Sequence, residues 1–198
     1  MIGEGIFTQD GQPWRHSREL LRRQFVRIQY QDLKVFEGPI NNLLDELKSS
    51  SSGVVDLQPF FFRFTLTTTT SLIFGEPFAG LGLDDHEQFG DDFTYSGLVT
   101  AMRTRLADWC WLYSPPKFKK SCARVKEYAM HYVNHALTDM KENGVDEAFQ
   151  RHPFIIDLYQ ELRDPVLVRD QLMNVLMAGR DTTACLLSWA LWVPNCSR

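Results

Sequence analysis

The chain has 198 residues, 44% hydrophobic and 23% charged, and a formal net charge of −4. This describes one globular domain or a large part of one, and the acidic balance argues against a chain that binds nucleic acid through its overall field. The four cysteines form no C-x-x-C pair, which argues against zinc and dithiol motifs and for reduced, mostly buried thiols of an intracellular protein. No basic and apolar leader opens the sequence. Its most apolar stretch, Leu172 to Val193, carries Arg180 and Asp181 at its centre, so no transmembrane segment is expected in this chain.

A first helix is predicted over about 13–29, opening on Pro13 after the turn-like Asp10-Gly11. Trp14, Arg18, Leu21, Phe25 and Ile28 recur at 4-3-4-3 spacing, and this face is expected to turn towards the core. An inward arginine needs an anion. Arg18 either holds a carboxylate of a ligand together with the indole N–H of Trp14, or ends the stripe and reaches out to water. Arg15, Arg22, Arg23 and Arg27 are either a solvated basic face or a docking patch for an acidic partner.

A second helix is expected from Asp32 to Lys48, followed by the Ser49–Gly53 linker. Asp56 caps a third that reaches Phe74, where Gly75 and Pro77 stop it; the run Thr67 to Thr70 within it would also suit a strand. A fourth starts at Asp84-Asp85 and runs towards Leu112, with Phe89, Phe93, Leu98 and Met102 along it. A fifth shows one apolar face through Phe118, Cys122, Val125, Ala129, Tyr132, Ala136 and Met140, and Asn143-Gly144 ends it. His131 and His135 stand off that face; position 132 is Tyr where H-E-x-x-H needs Glu, so they read as surface histidines and no metal ligand is assigned. A short segment, Pro153 to Leu162, leads to a last helix from Pro165 to Trp192, capped by Asp164 and stopped by Pro194. The sum is an all-α chain without repeats.

Inside that last helix, Met177-Ala178-Gly179-Arg180-Asp181-Thr182-Thr183 breaks local rules. Glycine costs roughly 1 kcal/mol there relative to alanine, and Asp and Thr are poor formers. Thr182 is placed to bond back to the carbonyl of residue 178, and the small pair Ala178-Gly179 leaves room for something small against the backbone. A carboxyl beside a hydroxyl on such a wall suits proton relay to a bound oxygen species. The alternative is a polar patch at a helix crossing, with Asp181 in a salt bridge.

Ala178-Gly179-Arg180-Asp181-Thr182-Thr183 resembles the A-G-x-D/E-T-T motif of the I helix of cytochrome P450 monooxygenases, and Trp14-x-x-x-Arg18 resembles the W-x-x-x-R of their C helix. Gly5-Ile6-Phe7-Thr8, Phe62-Arg63-Phe64-Thr65 and Arg169-Asp170-Gln171-Leu172 further resemble the fungal branch that hydroxylates n-alkanes and fatty acids. The resemblance implies the helical part of that fold as a single partial domain over 1–198, truncated at both ends, with the C helix at about 13–29 and the I helix at about 165–192. It implies haem as cofactor, Trp14 and Arg18 on a propionate, and Ala178 and Gly179 flanking the dioxygen pocket. Asp181 and Thr182 would be the catalytic acid–alcohol pair that delivers protons for O–O cleavage. An NADPH-dependent reductase would approach the arginines of the first helix, the phenylalanines of the fourth would roof a channel for a long apolar substrate, and full-length relatives would be anchored in the endoplasmic reticulum. The family's axial thiolate comes from a loop like F-x-x-G-x-R-x-C-x-G, and Cys110, Cys122, Cys185 and Cys196 all lack that context. Taken alone, the chain is therefore expected to be inactive. A non-catalytic helical binding module and an unstable truncated product stand as alternatives.

Overall fold

The computed structural model describes residues 1–28, 36–49, 54–75 and 83–196. All regular structure among them is helical: α1 (Gly11–Ile28), α2 (Glu37–Ser49), α3 (Leu57–Phe74), α4 (Leu83–Leu106), a 3₁₀ segment (Ala107–Leu112), α5 (Pro116–Asn143), α6 (Val145–Arg151), α7 (Pro153–Leu162) and α8 (Pro165–Cys196). α8 packs against α3, α5 and α7, and α4 lies along α5. The expected Ser49–Gly53 linker and the stop at Pro77 fall largely outside the described residues, as does the predicted start at Asp32.

The threonine run of α3 is helical because its hydroxyls bond within the helix. Thr65, Thr68 and Thr70 donate to the carbonyls of Phe61, Phe64 and Leu66 at 2.8–2.9 Å, so each side chain can be buried with its proton satisfied. Asp56 accepts from the N–H of Gln58 at 3.0 Å and opens the helix. Gly75 closes it at φ 80°, in the left-handed region that favours glycine. A Cβ there would also lie 2.1 Å from the carbonyl oxygen of Arg151. The His152 ring nitrogen Nδ1 meets the carbonyl oxygen of Phe74 at 2.9 Å, fastening the same corner from the α7 side.

The first half of α8 is buried on nearly every side, from Val168 through Leu176 with only Arg169 partly outside. Three polar residues in that stretch bind elements outside their own helix. Asp170 accepts from the N–H of Glu4 at 3.0 Å, Gln171 donates to Ser17 Oγ at 2.6 Å, and Asn174 donates to the carbonyl of Ile2 at 3.1 Å while accepting from the N–H of Phe7 at 3.0 Å. The segment Ile2 to Thr8 is thereby strapped across the helix.

Several expectations change. The buried side of α1 is Ser17, Leu20, Leu21 and Gln24, whereas Arg18 and Phe25 are exposed and Trp14 is half-buried. Of the stripe's described side chains only Leu21 is fully inside, because Ser17 and Gln24 find polar partners there. α4 ends at Leu106, since Ala107 takes φ 45° and the chain tightens into the 3₁₀ segment. An additional helix, α6, follows Gly144, with Asp146 and Glu147 in its first turn. α8 continues past Trp192 and through Pro194 to Cys196; a proline so near the end removes one bond to an exposed carbonyl region that water can satisfy. The thiols also differ from expectation: Cys110 and Cys122 are only half-buried, and Cys185 is exposed. No helix among the described residues is long and apolar enough to cross a membrane.

Candidate functional site

α8 is helical without interruption through Gly179. Thr182 Oγ1 donates to the carbonyl oxygen of Ala178 at 2.7 Å, the back-bond its position predicts. The place a Gly179 side chain would take is occupied by Thr69 of α3, however. A Cβ at 179 would lie 2.8 Å from Thr69 Oγ1 and 3.0 Å from Thr69 Cγ2, so glycine here lets α3 and α8 approach closely. The stretch thus combines a tight helix crossing at Gly179 with an exposed polar face at Asp181 and Thr182.

Asp181 and Thr182 are exposed, with 60% of the Asp181 side chain open to solvent. The Asp181 carboxylate takes a hydrogen bond from Arg180 Nη1 at 3.1 Å. Arg180 itself is buried. Its guanidinium carbon lies 4.8 Å from the ring centre of Phe62 and 5.5 Å from that of Phe93, and Nη2 donates to Thr94 Oγ1 at 2.6 Å. Burial pulls this guanidinium below its ordinary range, and the charge and hydrogen bond of Asp181 push it back up. In the sequence Arg180 counts only against a membrane span and is given no role at the site. The available signal was a charge in an apolar helix, which needs a partner wherever the helix is covered.

Trp14 and Arg18 contact each other on α1, with the guanidinium carbon 5.4 Å from the indole centre. Arg23 on the same helix pairs with Glu161 at 2.8 Å, whereas no ion pair among the described residues takes up the charge of Arg18. Between α1, α3, α7 and α8 lies a half-open cavity of about 460 Å³. Ala178, Gly179 and Thr183 form its α8 wall, and Phe25 borders it from α1. Phe25 belongs to the same stripe as Trp14 and Arg18, two turns further along, so that stripe runs from an uncovered cation to an apolar hollow. The structure brings Asp181 and Thr182 together on α8 and Trp14 and Arg18 together on α1. Neither pair lines the cavity, which Phe25 borders from α1 and Ala178, Gly179 and Thr183 border from α8.

The phenylalanines of α4 do not roof an open channel here. Phe89 and Phe93 are core residues, Phe89 stacking on Tyr128 at 4.1 Å, while Leu98 and Met102 face outward. His131 and His135 are exposed, as expected of surface histidines, and no cluster of three or more metal-ligating side chains occurs among the described residues.

An arginine with no acid partner among the described residues, beside an indole, suits the carboxylate of a ligand. The chemistry of these donors therefore suits haem on its propionate side. The cysteines do not complete the fit: Cys110 lies in the 3₁₀ segment, Cys122 on α5 and Cys185 on α8, and none borders the cavity.

Residues 1–193 match the family described as Cytochrome P450. A protein of Arthroderma benhamiae described as a cytochrome P450 is 43% identical over 195 residues, which cover 96% of this chain and 39% of that protein. Cytochrome P450 52A3-B of Candida maltosa is 36% identical over 97% of this chain and 39% of its own length. Cytochrome P450 52A1 of Candida tropicalis is 37% identical over 96% of this chain and 37% of its own length. The chain thus spans less than two fifths of the curated relatives it matches.

Proposed function

The chain belongs to the cytochrome P450 family, and on that premise we propose that it supplies the proton-handling wall and one propionate clamp of a haem-dependent monooxygenase. Haem, when bound, supplies the redox chemistry that activates dioxygen for insertion into a C–H bond. Trp14 and Arg18 hold its propionate, Arg18 through charge-assisted hydrogen bonds and Trp14 through the indole N–H. Ala178 and Gly179 keep the α8 wall low enough for the reacting oxygen to sit against it. Asp181 takes protons from solvent, which its exposure allows, and Thr182 holds a proton at Oγ1. The Thr182 back-bond to Ala178 must open or be shared when that hydroxyl turns to its acceptor. The exposed acid–alcohol pair on one turn of α8 carries this reading.

Long aliphatic chains are the proposed substrates, supported by the resemblance of Gly5–Thr8, Phe62–Thr65 and Arg169–Leu172 to the alkane- and fatty-acid-hydroxylating branch. Arg15 and Arg22, both exposed on α1, form the proposed approach surface for an electron-donating reductase. The axial thiolate is assigned to none of the four cysteines, so the isolated chain is proposed to be inactive.

Haemin titration tests the clamp. Quenching of tryptophan fluorescence is expected to report binding, weakened about 10-fold or more by Arg18→Ala, the order of one charge-assisted hydrogen bond. Reduction under carbon monoxide is expected to give no thiolate-type Soret band. Binding indifferent to Arg18 and Trp14 overturns the clamp, and a monomeric, protease-resistant chain that ignores haemin supports the helical binding module instead.

A further inference from the structure

The ion pair at the centre of α8 joins two side chains of very different freedom. Arg180 is 7% exposed and held from two other helices, by Phe62 of α3 and by Phe93 and Thr94 of α4. Asp181 stands at the surface. We propose that Arg180 is a positioning residue for the Asp181 carboxylate, fixing its orientation through a guanidinium that α3 and α4 lock in place. This rests on the reading of Asp181 and Thr182 as the proton-handling pair.

Adjacent residues on a helix point about 100° apart, so the carboxylate meets its neighbour only by turning to one side. An exposed aspartate otherwise samples several staggered wells. Contact with an immobile guanidinium selects among them. Thr94 is well made as an anchor: its own proton goes to the carbonyl of Gly90 at 2.7 Å, which leaves its lone pairs for Arg180 Nη2.

Two further observations make the contact costly to lose. Arg180 Nε is buried with no hydrogen-bond partner, so the guanidinium is already under-satisfied on that edge. Asp181 is the one carboxylate paired with it among the described residues. Removing one member of such a pair leaves an uncompensated desolvated charge. The planar fork is also specific to arginine. It presents one nitrogen to Thr94 and another to Asp181 while its faces lie near two aromatic rings; an ammonium offers a single point charge. The orientation of the proton-handling carboxylate is thereby tied to where α4 sits on α8.

The test reads the Hα–Hβ couplings of Asp181 in the whole chain carrying labelled aspartate, with the resonance assigned by its loss in Asp181→Asn. The native chain is expected to show one dominant side-chain rotamer. Arg180→Met fills the slot between the rings without charge and is expected to spread Asp181 over several rotamers at an unchanged circular dichroism spectrum. Arg180→Lys is expected to recover part of the single orientation. A merely structural Arg180 would change thermal stability without moving these couplings. Averaged couplings in the native chain, or a single rotamer retained in Arg180→Met, overturn the proposal. If Arg180→Met does not fold, Thr94→Val decides: it loosens the anchor while sparing the ion pair, and unchanged couplings there overturn the proposal equally. The couplings are read without haemin, so failure of the propionate clamp and failure of this proposal are registered separately.

Discussion

The two halves of α8 are similarly rich in apolar residues and sit in opposite surroundings. From Val168 to Leu176 the helix is enclosed by α3, α5, α7 and the strap at residues 2–8. From Cys185 to Val193 it is largely bare: Trp189 is 55% and Trp192 57% exposed, and their rings lean on each other at 5.1 Å instead of on another helix. Among the described side chains beyond the motif, only Ala184 is buried. Burial of an apolar residue is therefore set by what packs against it, and the polar motif at 180–183 lies where the covering stops. The polar residues follow the same division. Asp170, Gln171 and Asn174 bind inward to other segments, whereas Asp181 and Thr182 face solvent and bond only within the helix.

Substitutions separate the halves most strongly at the core. Leu172→Ala is expected to lower unfolding free energy by about 2–5 kcal/mol in chemical denaturation, whereas Leu186→Ala should stay within about 0.5 kcal/mol. Equal losses at the two positions would break the contrast. Asn174→Ala, which strips the strap of two hydrogen bonds, is expected to cost about 1–3 kcal/mol and to expose residues 2–8 to proteases first. At the boundary, Gly179→Ala gains about 1 kcal/mol of helix propensity and loses about 1–3 to overpacking on Thr69, for a net loss of about 1. In a Thr69→Ala background the same change should become neutral or stabilising, and a double-mutant cycle measures the difference. Smallest in stability is Trp189→Ser with Trp192→Ser, expected to shift the unfolding midpoint hardly at all while reducing binding of an apolar dye and self-association in light scattering.

The helices were legible because their punctuation is local. Asp56, Gly75, Gly144 and Asp164 each act on the few residues beside them, and each does so in the structure. The α1 face was misread because periodicity identifies a stripe without saying which side is covered. Ser17 and Gln24 are inside only because Gln171 and Asp157 come from far along the chain to meet them. The end of α4 depends on one residue, Ala107, whose positive φ no alanine announces. At the site, the acid, the alcohol and the small pair could be read from their types and their order. Arg180 could not, since its significance comes from Phe62, Phe93 and Thr94, which lie 86 or more residues away. The close approach of Thr69 to Gly179 was hidden for the same reason.

The strap has a temporal side. Ile2 is bonded to Asn174 and Glu4 to Asp170, pairs separated by 172 and 166 positions in the chain. At synthesis rates of about 5–20 residues per second, residues 2–8 wait on the order of ten seconds or more before their partners exist. Closing so long a loop costs conformational entropy that local helices do not face. Attachment of the strap is therefore expected among the last folding events, and until it occurs the Asp170–Asn174 edge of α8 stays open to other peptide groups. A chaperone or a competing extended segment would find its opportunity there, in the interval between the emergence of α8 and the attachment of residues 2–8.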